Sequence, residues 1–253
     1  MTWLDERART EVGRPNFRRY WLALYRREVK LAEGIVIRAL AEWPARRIYH
    51  RLFGPALALS GTLFARGVVG YQEEHFITYH TLRFMRRVRR TFVPTRTTGP
   101  LALAGGVGQE NHLIGLRMVC DFLQAANWQI RWVDTHERGV YREAVARQRP
   151  AAVLLSVGLR TGVEPARRIV WELRRVGYSG VIAVGGAAVQ RDPALVGEIE
   201  ADLTARNGLD LVRALEVTRV GESRAEIARV VCARRNARKS PGRASGALIS
   251  PIA

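Results

Sequence analysis

Up to Phe92 the chain repeats apolar positions at helical spacing, and beyond residue 100 the pattern changes to short, unbroken apolar runs. The first regime predicts helices over 17–40, 45–53, 55–66 and 71–92, with breaks at Pro44, at Gly54 and at Gly67-Val68-Val69-Gly70. Connections this short imply a four-helix bundle. Residues 93–100 carry two prolines and no periodicity and read as a linker. After it, strand-like runs at 101–104, 129–133, 152–157, 181–184 and, more weakly, 202–205 alternate with helical patterns at 116–126, 140–148, 165–176 and 193–200 and a closing helix from Leu209. Such alternation implies βαβ units with right-handed crossovers and a parallel sheet covered on both faces. The expected architecture is α/β: a helical bundle over 1–93, a linker over 94–100, a flavodoxin-like (Rossmann-like) domain with five parallel strands over 101–233, and a basic tail over 234–253. That tail holds Arg235, Arg238, Lys239 and Arg243 without an apolar face and is expected to be disordered.

Composition narrows the setting. A chain of 253 residues with 47% hydrophobic content has enough material for a substantial core. No apolar run approaches the roughly 20 residues needed to span a bilayer. The start, Met1 to Glu6, lacks the apolar segment of a secretory signal, so the cytoplasm is expected and a membrane role is not. Cys120 and Cys232 are the only cysteines, which excludes a disulfide framework and a structural zinc site. The formal charge of +18 favours anionic partners. Nearly all of it is arginine, Lys30 and Lys239 being the only lysines. The densest positive stretch is the helix over 82–92, where Leu82, Met85, Val88 and Phe92 form an apolar stripe and Arg83, Arg86, Arg87 and Arg90 point outward.

The candidate chemistry lies in Gln109-Glu110-Asn111-His112-Leu113-Ile114-Gly115, between the first strand and the following helix. A histidine there stands at the carboxyl edge of a parallel sheet, where α/β folds collect ligands. Glu110 two residues earlier can hold the ring nitrogen that is not bound to a metal, which sets the tautomer. The preceding Gly105-Gly106-Val107-Gly108 does not make a dinucleotide fingerprint, because Asn111 stands where the third glycine belongs.

This stretch resembles the histidine loop of cobalamin-binding domains, in the Glu-x-His-x-x-Gly form of cobalamin photoreceptors. The resemblance implies that His112 is the lower axial ligand of cobalt, that Glu110 is its hydrogen-bond partner, and that the backbone passes close to the cofactor at Gly115. A second stretch, Phe64 to Tyr71 and on through Gln72-Glu73-Glu74-His75, resembles the Trp-x9-Glu-His signature of the helical cap in photoreceptors of the CarH and LitR group, with Phe64 in place of Trp. It implies that Phe64 covers the upper face of the corrin and that Glu74 and His75 flank the upper axial group. Ala65 stands where CarH-type proteins carry a histidine, so no upper ligand comes from that site. Ser156-Val157-Gly158 and Gly185-Gly186 close two strands at the edge that bears His112, and in cobalamin domains similar positions line the pocket of the nucleotide tail.

The resemblance is to stand-alone sensors of the AerR/PpaA group, because no segment before Pro15 is long enough for the DNA-binding domain of CarH and LitR. It implies a cobalamin-dependent light or redox sensor, not itself an enzyme and without catalytic residues, that regulates transcription as an antirepressor on a CrtJ/PpsR-like DNA-binding repressor. Direct DNA contact through the arginines is a further expectation. The upper ligand, whether adenosyl, methyl or hydroxo, is left open. Two other readings stand beside this one: a corrinoid methyl carrier of a methyltransferase system, and a sensor for another tetrapyrrole, haem or bilin, alone or together with cobalamin.

Overall fold

The computed structural model describes residues 16–108, 113–133, 139–204 and 207–219. Glu110, His112 and the basic tail over 234–253 lie outside the described residues.

The helical half contains α1 (Phe17–Tyr25), α2 (Val29–Glu42), α3 (Ala45–Ile48), a π-helical turn (Tyr49–Phe53), α4 (Gly54–Ala65) and α5 (Tyr71–Arg89). Two boundaries differ from the sequence expectation. The single helix expected over 17–40 is broken at Arg27, which adopts φ 64°. There the Glu28 N–H donates to Ala23 O at 2.8 Å and the Arg27 N–H to Leu24 O at 3.0 Å. This pair of bonds ends a helix at a left-handed residue, a position usually given to glycine. Arginine in that place leaves no mark in the sequence.

Conversely, the break expected at Gly54 is absent. Pro55 has no N–H to continue an α-helix and its ring needs room from the carbonyl four residues earlier. The chain widens by one residue: the Gly54 N–H reaches Tyr49 O across a π turn, and Pro55 then sits in the first turn of α4, where no donor is missed. A Cβ on Gly54 would lie 3.1 Å from that same oxygen, so the wide turn favours glycine. One split and one fusion leave four long helical rods, with 45–65 running as a continuous one.

Beyond the linker, β1 (Leu101–Gly106), β2 (Gln129–Trp132), β3 (Ala152–Ser156) and β4 (Val181–Gly185) form a parallel sheet in the order β2-β1-β3-β4. The run expected as a fifth strand contributes one parallel bridge, Ala183 to Leu203, among the described residues. The Asp202 carboxylate accounts for this: it accepts the Ile182 N–H at 2.7 Å and pairs with Arg174, so a side chain replaces a strand carbonyl. The sheet is flanked by α6 (Ile114–Ala125), α7 (Val140–Gln148), α8 (Val163–Arg175), α9 (Ala187–Arg191), α10 (Leu195–Ile199) and α11 (Gly208–Arg219).

Alternation along each strand divides the interior into two cores. Leu103, Val153, Leu155, Ile182 and Val184 face α7, α8 and α10, together with Tyr141, Val170 and Ile199. Ala102, Ala104, Leu154 and Ala183 face the other way, into a core that contains Leu123 of α6, Leu215 of α11 and also Tyr20, Phe53 and Val88 of the bundle. The two halves therefore share buried surface. Within it, Tyr49 and Phe92 lie edge-on to each other, and Phe122 sits 5.4 Å from the Tyr49 ring. Among the described residues no helix is long and apolar enough to cross a membrane.

Between α7 and β3, Arg149 adopts φ 47° and is exposed, with no gain from its side chain that the contacts reveal. Arg149→Gly is expected to raise the unfolding free energy by about 0.5–1 kcal/mol, because glycine enters the left-handed region without the Cβ clash. Chemical denaturation of both proteins measures this, and an unchanged or lower stability refutes it.

Candidate functional site

The strand order 2-1-3-4 reverses direction between β1 and β3, so a crevice opens beyond their carboxyl ends. Val107 and Gly108 leave β1 at this point and Leu113 leads into α6. Gly108 and Leu113 are the described residues on either side of Glu110 and His112, which lie outside the described ones.

The rim of the crevice is built from backbone. In the sheet register Ser156 pairs with Gly185. The Val157 N–H donates to Gly185 O at 2.8 Å, and the Ala188 N–H to Val157 O at 3.1 Å. Gly186, at φ 104°, passes so close to Val157 that an added Cβ would lie 2.5 Å from its carbonyl oxygen. By contrast, a Cβ on Gly185, on Gly115 in the first turn of α6, or on Gly108 would meet no described atom within 4 Å. Three glycines at this edge are therefore uncrowded among the described residues, while a fourth closes the fold beneath it. Ser156 is buried on the face shared with Leu154, and Gly158 is half-buried at the exit of β3. A residue the sequence reading missed stabilises the end of β1: the buried Tyr141 hydroxyl donates to Gly106 O at 2.9 Å. Burial pushes its ionisation far above the usual phenol range. No spacing in the sequence signals this contact.

In the helical half, the second stretch forms the end of α4, a tight turn and the start of α5. Gly67 (φ 67°) ends α4 with the same pair of bonds seen at Arg27: Gly67 N–H to Phe64 O at 2.9 Å and Val68 N–H to Leu63 O at 2.9 Å. This turn leaves Phe64 46% exposed, and Val68 and Tyr71 more so. Large apolar surface in open view at one corner is unusual for a solvated bundle and signals a ligand or partner face.

Beside it, Glu74 Oε2 lies 3.0 Å from His75 Nδ1, and the Tyr71 carbonyl lies 3.2 Å from the same nitrogen. Two acceptors around Nδ1 favour the tautomer protonated there, leaving the Nε2 lone pair outward. The Tyr71 ring stacks on His75 with centroids 3.8 Å apart, and Thr78 Oγ1 donates to Glu74 Oε1 at 2.7 Å. Tyr71 and Thr78 were not singled out in the sequence, although both stand four residues from a named partner on one helix.

The structure thus brings together Ser156, Gly185 and Gly186 on one element pair, and Glu74 with His75 on another. No hydrogen bond or ring contact joins these two groups among the described residues, and Phe64 belongs to the second group by chain position alone. For a corrinoid the residues fit. At Gly108, Gly115 and Gly185 no described side chain stands in the way of a planar group at the sheet edge, and the exposed Phe64 on the bundle suits an apolar face. No cluster of three or more His, Cys, Asp or Glu side chains exists among the described residues, so a multi-ligand metal centre is not formed by them.

Residues 100–216 match the family of the B12 binding domain. Among solved structures the chain is similar to the monomethylamine corrinoid protein of Methanosarcina barkeri, with a TM-score of 0.67, 21% identity, and coverage of 78% of this chain and 96% of that one. That coverage extends beyond the α/β half into the bundle, so the shared fold includes both. Weaker likenesses are to a cobalamin-binding protein of Desulfitobacterium hafniense (TM-score 0.42, 14% identity, 81% and 97% covered) and to the methanol:cobalamin methyltransferase complex MtaBC of Methanosarcina barkeri (0.46, 15%, 84% and 83%). No curated protein sequence matches the chain.

Proposed function

We propose that this protein binds cobalamin between the helical half and the sheet edge and serves as a corrinoid carrier, presenting a methyl group to partner enzymes rather than catalysing its transfer alone. The observation that carries this reading is a B12-binding Rossmann-like fold in which Gly108 and Leu113, the described residues on either side of the Glu110-x-His112 sequence, stand at the switch point. The likeness to a corrinoid protein across both halves supports a carrier more than a light sensor. His112 would hold the metal and Glu110 would fix the imidazole tautomer. Gly115 and Gly185 would admit the macrocycle, and Ser156, Gly158 and Gly186 would border its nucleotide tail. Phe64, with Glu74 and His75, would screen the upper face from water. When bound, the cofactor supplies a metal centre that accepts and releases a methyl group.

A second reading, a light or redox sensor acting on a repressor, is favoured by one feature. Glu74 and Tyr71 hold His75 at Nδ1, which leaves Nε2 to answer a change at a bound cofactor. One experiment separates the readings. The protein is reconstituted in the dark with methyl-, adenosyl- or hydroxocobalamin, and spectra are recorded before and after illumination and after addition of a thiol acceptor with its methyltransferase. Methyl delivery in the dark supports the carrier. A light-driven spectral change accompanied by a change in oligomeric state or partner affinity, without delivery, supports the sensor. His112→Ala is expected to lose the spectral signature of imidazole coordination. Absence of binding, or a variant spectrum equal to the wild type, overturns the assignment.

A further inference from the structure

On the outer side of the bundle, α2 and α5 enclose a groove of about 360 Å3 lined by Glu33, Arg83, Phe84, Arg86, Arg87 and Arg90. The four arginines are exposed and spaced 83, 86, 87 and 90, one face of the helix, while Ile77, Met85 and Val88 on the opposite face are buried and the buried Phe84 borders the groove. Like charges three and four residues apart repel. The helix macrodipole favours cations in the last turn, which accounts for Arg86, Arg87 and Arg90 in part but not for Arg83, further in. Arg87 is held by Glu33 at 2.8 Å, so the groove already seats one carboxylate. Among the described residues Arg83, Arg86 and Arg90 form no ion pair.

We infer that this groove is a docking site for an acidic, partly apolar segment of a partner protein, whose carboxylates take the places beside Arg83, Arg86 and Arg90 as Glu33 does beside Arg87. One feature selects a protein over a nucleic acid. Ile37, one turn from Glu33 on the same face of α2 and 46% exposed, offers an apolar contact of the kind a protein segment fills. The inference stands independently of the cofactor, because none of these residues belongs to the corrinoid site.

The test uses the full chain and three fluorescein-labelled probes: an amphipathic peptide with glutamate on one helical face and leucine on the other, its glutamine counterpart, and a short DNA duplex. The acidic peptide is expected to bind in a salt-dependent way, and Arg83→Gln/Arg86→Gln to weaken it by about tenfold. Arg167→Gln/Arg168→Gln on α8, which removes the same charge elsewhere, is expected to leave binding within about twofold. Equal losses in the two variants reduce the effect to net charge and overturn the inference. So does glutamine-peptide binding as tight as that of the acidic peptide, or a loss on Arg83→Gln/Arg86→Gln that is larger for DNA than for the acidic peptide.

Discussion

Gly186→Ala is expected to destabilise the protein by about 3 kcal/mol or more, the combined effect of a glycine-only backbone conformation and a clash with main chain. Gly186 has φ 104° and ψ 175°. Its missing Cβ would lie 2.5 Å from Val157 O, 2.7 Å from Val157 C and 2.8 Å from Val157 N. Those atoms cannot withdraw cheaply, since Val157 bonds through its N–H to Gly185 and through its carbonyl to Ala188. Relief would require opening the β3–β4 edge, and with it the rim of the crevice. Gly185→Ala provides the contrast, because its Cβ meets open space. It is expected to change stability by less than about 1 kcal/mol, the ordinary range for a substitution without strain, while weakening cobalamin binding. Denaturant unfolding of the apoprotein, with cofactor titration of both variants, measures the two effects separately. Equal stability losses would show that Gly186 is not the constrained position.

Arg89→Ala should cost roughly 2–3 kcal/mol, the penalty for leaving a largely buried carboxylate without its cationic partner, discounted because Arg89 is itself partly exposed. Asp121 on α6 is 8% exposed and accepts the Tyr49 hydroxyl at 2.7 Å and the Arg89 Nε at 2.8 Å, while Arg89 also donates to Gln124 at 2.8 Å. These bonds tie α5 and the π turn to the α/β half. Burial raises the Asp121 carboxyl above its ordinary range, and the bonds from Tyr49 and Arg89 oppose that rise.

A carboxyl raised on folding contributes stability that is complete below its unfolded value and is lost as pH rises through its folded value. Removing Arg89 raises the folded value further, so the deficit of Arg89→Ala is expected to be largest near neutral pH and to shrink on acidification through the carboxylate range. The double variant Arg89→Ala/Asp121→Asn should recover part of the loss at neutral pH. A deficit that is independent of pH would assign the effect to lost packing of the arginine stem.

Much of the α/β half was legible from residue order, because apolar runs at 101–104, 152–157 and 181–184 need only local alternation with helices to imply parallel pairing. The fifth strand was not, since a side chain of Asp202 rather than an apolar preference decides how far the pairing runs. Within the bundle, Gly67 marked a helix end correctly by its freedom at positive φ, whereas Arg27 made the same turn without the customary residue. Gly54 read as a break because the sequence shows a glycine before a proline but not the wide turn that carries the helix across them.

The chain by itself determined the kinds of chemistry present: a carboxylate and an imidazole two residues apart, paired glycines at strand ends, a Glu-His pair at a helix start and a row of arginines. Those follow from residue identity and spacing, which are local. Tertiary structure alone decided which glycines border open space and which is clasped by Val157, that Tyr141 holds the end of β1, and that Asp121 lies buried between the halves. Such facts depend on atoms many residues apart in sequence meeting at a few ångströms, a distance no local pattern encodes.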